Sequence, residues 1–145
     1  MNRRLTVSAL LSAATGALAA LSPRAGAAAP DHRAVFDLSA DGAEKWDGAL
    51  RNIENLRKAL GPGMVGVHLI VHGKAFPLLQ KSENGLEPRL KALQDAGVRL
   101  SLCRNTMKRF DVPADSLLPY TDTVDAAVAE LVRKQTAGWA YIKVA

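Results

Sequence analysis

Apolar residues along the chain fall into short continuous runs, separated by longer stretches in which they recur every three or four positions. Continuous runs of this length are typical of strands that are buried on both faces of a sheet. The runs are AVFDLS at 34–39, MVGVHLIVHG at 64–73, VRLSLC at 98–103 and WAYIKV at 139–144. The pattern therefore predicts four strands, separated by turns that contain glycine.

Amphipathic helices are predicted between the strands. EKWDGALRNIENLRKALG has its apolar residues on one stripe and ends at Gly61. KAFPLLQ and GLEPRLKALQDAG give a second helical region, and NTMKRF predicts a short helix after the third strand. DVPADSLLPYTD contains two prolines and is predicted to be a loop with some helical turns. TVDAAVAELVRKQTAG predicts a last helix, with an apolar stripe of Val124, Ala127, Val128, Leu131 and Val132. Strands that alternate with helices in this way are typical of an α/β fold, with helices on both faces of a parallel sheet.

The N-terminus has the three-part plan of a secretory signal peptide. Arg3 and Arg4 precede an uncharged stretch over 5–21, and small residues follow at 25–29. A membrane-spanning helix is the alternative, but the many Ala, Ser and Thr residues make the stretch weakly apolar. We therefore expect a cleaved signal over 1–29, a single domain over 30–145, and a periplasmic or otherwise exported protein without stable membrane insertion. The paired arginines leave both the general secretory and the twin-arginine routes open.

The basic charge of the chain belongs mostly to this leader. The whole sequence has 19 Lys and Arg against 14 Asp and Glu, a formal charge of +5. Arg3, Arg4 and Arg24 lie in the leader, which has no acidic residue, so the remaining domain carries 16 basic and 14 acidic residues. A nearly neutral domain without a basic, aromatic-rich face gives no indication of nucleic-acid binding.

Cys103 is the only cysteine, and it lies where the third strand gives way to a short basic helix. In an oxidising compartment such a residue is buried and inert, paired between chains, or reactive. A helix N-terminus and the cations Arg104, Lys108 and Arg109 stabilise a thiolate. Free cysteine is nevertheless among the most buried residue types. The residues alone leave both interpretations open.

His72 ends the second strand, so we expect its side chain at the same sheet edge as Cys103. It is then a candidate base or orienting group for the thiol. The alternative is a histidine that hydrogen-bonds to a backbone carbonyl. His68, four residues earlier, lies on the same strand face but roughly 13 Å away, too far to share a metal ion. No third ligand at suitable spacing joins His72 and Cys103, so we expect no metal and no other cofactor.

Three stretches carry a resemblance to a known family: IVHGKAFPLL, LCRNTMKRF with its sequel DVPADSLLPYTDTV, and the ending LVRKQTAGWAYIKV. Over about 35–144 the chain resembles the DsrE/DsrF-like family of small sulfur-relay proteins. The resemblance implies a DsrE-like three-layer α/β/α sandwich with a mostly parallel five-stranded sheet, usually assembled into trimers or hexamers. It also implies that Cys103 accepts a sulfane sulfur as a persulfide and passes it to a partner protein's cysteine. The relay members are cytoplasmic, whereas this chain carries a predicted signal.

Arg104, Asn105 and Thr106 follow Cys103 and are candidates to bind an anionic terminal sulfur or a sulfur oxyanion. Asn and Thr at this position equally cap helices. Two functions remain open at this point. One is an exported persulfide carrier or sulfurtransferase-type protein that acts through Cys103 with a donor or acceptor protein. The other is a non-catalytic oligomeric binding module, with a structural Cys103 and a pocket at the strand carboxyl edge for a small ligand or partner.

Overall fold

The computed structural model describes residues 29–81 and 85–144, so the predicted signal peptide lies outside the described residues except for its last position. Within these residues, one sheet contains five strands: β1 (His32–Leu38), β2 (Val65–Val71), β3 (Arg99–Cys103), β4 (Asp122–Val124) and β5 (Ala140–Val144). The strand order is β4-β3-β2-β1-β5, and every neighbouring pair is parallel. This confirms the predicted α/β fold, and the sheet is parallel throughout these strands.

In the described part of the chain, four α-helices connect the strands: α1 (Ala43–Leu60), α2 (Glu87–Asp95), α3 (Arg104–Arg109) and α4 (Ala127–Thr136). The described residues also form 3₁₀ helices at Gly73–Leu79, after β2, and at Ala114–Ser116, after α3. The first contains Pro77, which lacks the backbone N–H that a regular helix would use. Among the described residues, no helix is long and apolar enough to cross a membrane.

The larger apolar core lies between one face of the sheet and the layer formed by α1, α2 and the first 3₁₀ helix. Phe36, Leu69 and Leu100 extend to this side from three neighbouring strands and are at most 1% exposed. They share the core with Leu50 and Ile53 from the predicted stripe of α1, both of which are fully buried. Full burial of such a side chain contributes about 2 kcal/mol to stability. This layer therefore anchors the strands whose other face carries the candidate site.

The opposite face of the sheet packs against α4 and mixes apolar with polar side chains. Val35, Ile70 and Cys103 form a small cluster with residues of α4. Asp37 and His68 lie on the same face by the strand register and are buried as well. A buried polar group costs free energy unless it is hydrogen-bonded. The polar residues beneath α4 therefore need specific partners.

The structure differs from the sequence predictions around β4. Val124 was predicted to lie on a helical stripe, but it lies in β4 beside Cys103 in the sheet, and α4 begins only at Ala127. Val128 and Val132 were predicted on the same stripe, but they are 68% and 61% exposed in the single chain. Of the predicted stripe in α4, Ala127 and Leu131 are buried against the sheet.

Candidate functional site

A cavity of about 240 Å³ opens at the carboxyl edge of β2 and β3. It is lined by His72, Gly73, Cys103, Asn105, Thr106, Arg109, Ala126, Ala127 and Val128. The carboxyl ends of neighbouring parallel strands meet at one edge of a sheet. The prediction that His72 and Cys103 lie at the same edge is therefore confirmed.

Cys103 ends β3 and is 5% exposed, yet it forms part of the cavity wall. The backbone N–H of Ala127 donates a hydrogen bond to Cys103 Sγ, with the nitrogen 3.3 Å from the sulfur. Ala127 is the first residue of α4, so the sulfur lies at the N-terminus of a helix ten residues long. An N–H donor and the positive end of a helix both stabilise negative charge on an acceptor atom. The contact from α4 was missed by the sequence analysis, which considered only the helix that follows Cys103.

Thr106 connects α3 to the segment after β2. Its Oγ1 accepts a hydrogen bond of 2.9 Å from the backbone N–H of Gly73, and the Thr106 side chain is buried. Gly73 has a φ of 56°, a left-handed conformation that glycine adopts without the penalty of a Cβ. Asn105 also lines the cavity and is exposed. Both predicted binding residues after Arg104 therefore lie at the cavity.

Arg104 lies elsewhere. Its Nε donates to Thr123 Oγ1 and its Nη1 to Asp125 Oδ1, both at 3.0 Å. These contacts hold it beside a second cavity of about 620 Å³, which Lys108 also lines. The cation that lines the Cys103 cavity is Arg109, five residues further along. The rotation of α3 thus separates the two arginines, which sequence spacing alone treats as equivalent neighbours of Cys103.

Asp37 is a functional candidate that the sequence analysis did not single out. It lies on β1, is 5% exposed, and its Oδ1 accepts a hydrogen bond of 2.7 Å from His72 Nε2. Its Oδ2 accepts bonds from the Tyr141 hydroxyl at 2.6 Å and from Lys143 Nζ at 3.1 Å. Burial alone would raise the pKa of Asp37, but the hydrogen bonds from these three side chains outweigh it and hold the pKa well below its usual value.

The same network affects the tyrosine. The hydrogen bond to the Asp37 carboxylate raises the pKa of Tyr141 to about 12, so this hydroxyl remains a donor at neutral pH. Lys143 Nζ also donates to Ser39 Oγ at 3.0 Å. The network thus joins β1, β2 and β5 on the face of the sheet that α4 covers.

His68 lies apart from the cavity, fully buried beneath α4. Its Nε2 is 2.8 Å from Ser101 Oγ, and its Nδ1 is buried without a hydrogen-bond partner in the described structure. Burial, together with the charges of Lys134 and Arg99, lowers the pKa of His68 to about 4. It is therefore neutral at physiological pH. Across residues 29–81 and 85–144, no three His, Cys, Asp or Glu side chains form a group that could hold a metal ion.

Comparisons with known proteins agree with this architecture. Residues 34–144 match the family model described as the DsrE/DsrF-like family. The chain is 31% identical to a solved protein of unknown function, MTH1491 from Methanobacterium thermoautotrophicum, with a TM-score of 0.72 over 78% of this chain and 99% of that one. The ychN protein from E. coli shares the fold at 15% identity, with a TM-score of 0.62 over 79% of this chain and 99% of that one. Among curated proteins, no sequence matches significantly.

Proposed function

The chain belongs to the DsrE/DsrF-like family, and from that premise we propose that it carries sulfane sulfur as a persulfide on Cys103 and passes it to an acceptor. Members of this family commonly work in sulfur relay. The observation that supports the proposal best is the position of Cys103 Sγ, which accepts the first N–H of α4 while lining a cavity with His72 and Arg109. An inert core cysteine needs neither a donor to its sulfur nor a cavity beside it.

The chemistry requires little more than a stabilised thiolate. The Cys103 thiolate attacks the outer sulfur of a donor persulfide, R–S–SH, forming one S–S bond and breaking another. The products are Cys103–S–SH and the thiolate R–S⁻, so charge and electrons balance without an external oxidant. Near neutral pH a persulfide is readily ionised, and the Ala127 N–H and the helix N-terminus stabilise the anion as they stabilise the thiolate.

Arg109 supports an anionic donor or product in the cavity. Its guanidinium has no carboxylate partner in the described structure, and its Cζ lies 5.4 Å from the centroid of the Phe110 ring. Arg104, in contrast, is bound to Asp125. Asn105 adds a polar side chain at the same wall. We propose that Arg109, rather than Arg104, attracts the charged sulfur species.

The competing function is a non-catalytic binding module with a structural Cys103. The low exposure of Cys103 favours this alternative. In that case the cavity would bind its ligand without forming a bond to sulfur. The two functions therefore differ in whether sulfur becomes covalently attached at Cys103.

We also propose that the protein is exported and assembles from identical chains. Export is supported by the leader over 1–29. Assembly is supported by Val128, Val132 and Tyr141, large apolar side chains that the single chain leaves exposed. Val128 also lines the Cys103 cavity. A neighbouring chain that covers Val128 would therefore border the cavity. Expression of the full chain in a Gram-negative bacterium is expected to give a periplasmic product that begins near residue 30.

The proposed function is tested by attaching sulfane sulfur to the protein and then measuring how much can be removed. The reduced domain is incubated with polysulfide, freed of small molecules, and treated with cyanide, which converts sulfane sulfur to thiocyanate. We expect thiocyanate from the wild-type protein and none from Cys103→Ser. Equal amounts from both proteins, or none from either, would contradict the proposal.

A matched pair of arginine variants tests the role of the cavity. Arg109→Ala is expected to slow loading about fivefold, since one partly solvated charge contributes about 1 kcal/mol. Arg104→Ala removes the same charge from the same helix but outside this cavity, and is expected to change the loading rate less than about twofold. Equal effects of the two variants would show that only the overall charge matters.

A further inference from the structure

Asp37 is placed to control the protonation of His72. The carboxylate is buried on β1, and its two oxygens accept hydrogen bonds from different side chains. Oδ1 contacts His72 Nε2, and Oδ2 contacts Tyr141 and Lys143. An ionised carboxylate can only accept hydrogen bonds. His72 Nε2 must therefore carry a proton, and neutral His72 keeps its lone pair on Nδ1.

His72 Nδ1 makes no hydrogen bond to any residue in the described part of the chain, and His72 lines the same cavity as Cys103. This leaves the basic nitrogen available at the site where the thiol must lose its proton. A base oriented by a third group is the usual arrangement for activating a cysteine or serine nucleophile.

We propose that Asp37 is a positioning residue that holds His72 as the Nε2–H tautomer, so that Nδ1 serves as the base for the Cys103 thiol. The inference rests on Cys103 being the reactive group of the proposed function. The S–H bond of Cys103 breaks, an N–H bond forms at His72 Nδ1, and the Asp37 carboxylate stabilises the resulting imidazolium. After the thiolate has attacked a donor persulfide, the imidazolium returns its proton to the departing thiolate R–S⁻. One proton thus passes from Cys103 to His72 and then to the departing thiolate, and His72 returns to its neutral form.

Tyr141 and Lys143, on the edge strand β5, are the other two hydrogen-bond donors to Asp37. They occupy Oδ2 and leave Oδ1 for His72. The positive charge of Lys143 helps to keep the buried carboxylate ionised. Sheet pairing of β1 with β5 is what places these donors beside Asp37, since Asp37 and Lys143 are register partners.

The first test is a double-variant cycle on thiol reactivity, measured as the rate of alkylation by iodoacetamide near neutral pH without any sulfur donor. Asp37→Asn and His72→Gln are each expected to lower the rate about a hundredfold, the lower end of the range for loss of a positioned base. The combined variant is expected to be no slower than His72→Gln alone, because Asp37 acts through His72. Losses that multiply would overturn the proposal. Asp122→Asn, an exposed carboxylate on the same sheet face, is the control, with an expected change below about twofold.

The second test reads the tautomer directly from the ¹⁵N chemical shifts of the His72 ring in the unaltered protein. In the neutral ring we expect the proton on Nε2 and none on Nδ1, and an Nδ1–H tautomer would overturn the proposal. This measurement is decisive even if Asp37→Asn does not fold. Neither test uses a sulfur donor. Suppose that the alkylation rates and the His72 tautomer are as expected but that no persulfide forms on Cys103. The proposed function is then wrong, while the role of Asp37 in positioning His72 is supported.

Discussion

His68 gives the structure a pH-dependent stability that can be calculated in advance. Its ring is fully buried, its Nε2 contacts Ser101 Oγ, and its Nδ1 has no hydrogen-bond partner within the described residues. Burial, with the charges of Lys134 and Arg99, lowers its pKa from 6.5 to about 4. The perturbation that tests this is the double variant His68→Leu with Ser101→Ala. It removes the titrating group without leaving a buried hydroxyl unpaired.

The sign follows from the two pKa values. As pH falls below 6.5, His68 becomes protonated in the unfolded chain, whereas in the folded protein it stays neutral until about pH 4. The stability contributed by neutral His68 is therefore present above pH 6.5 and is lost progressively as pH falls to about 4. Between about pH 7.5 and about pH 5 the loss is about 2 kcal/mol, and it reaches about 3 kcal/mol near pH 4.

The assay is urea unfolding at about pH 7.5 and about pH 5, followed by tryptophan fluorescence. We expect the free energy of unfolding of the wild type to fall by about 2 kcal/mol more than that of the double variant. Asp37 does not interfere, because the stability from its lowered pKa is lost only as pH falls below its usual value of 3.8. Equal losses in the two proteins, within about 0.5 kcal/mol, would refute the reasoning.

Three further predictions concern the core, the cavity and the exposed face of α4. Ile53→Ala, at a fully buried position, should lower the urea unfolding free energy by about 3 kcal/mol, and a loss below about 1 kcal/mol would contradict the described core. Gly73→Ala should cost about 1 kcal/mol in the same assay because of its φ of 56°; an unchanged stability would contradict that conformation. Val128→Asp should lower the molar mass seen by light scattering, since a charge would enter the proposed interface. A monomeric wild type would contradict that interface.

Much of the fold is predictable because burial produces periodic sequence. The four apolar runs correspond to β1, β2, β3 and β5, and α1 ends at Leu60, just before Gly61. β4 was not identified as a strand because it has only three residues, Asp122–Val124, and its one buried residue also fits a helical stripe. Length and alternation are the signals that identify a strand, and a strand of this length provides neither.

The site was predictable only in part, because the local sequence pattern does not determine the order of the strands in the sheet. The strand ends indicated that Cys103 and His72 would meet at one edge. Asp37 and Lys143 come from strands that become neighbours only when β5 joins the far side of β1. One signal was nevertheless present: an acid in the buried run AVFDLS requires a partner. The lysine and tyrosine that alternate in WAYIKV are suitable donors.

The measurement that tests the central claim most directly is the intact mass of the reduced domain after exposure to polysulfide, beside Cys103→Ser treated identically. We predict that the wild-type protein gains the mass of one or more sulfur atoms, that a reductant removes this mass, and that the variant gains none. A wild-type mass that stays unchanged while the thiol remains free would contradict the persulfide carrier and favour the non-catalytic binding module.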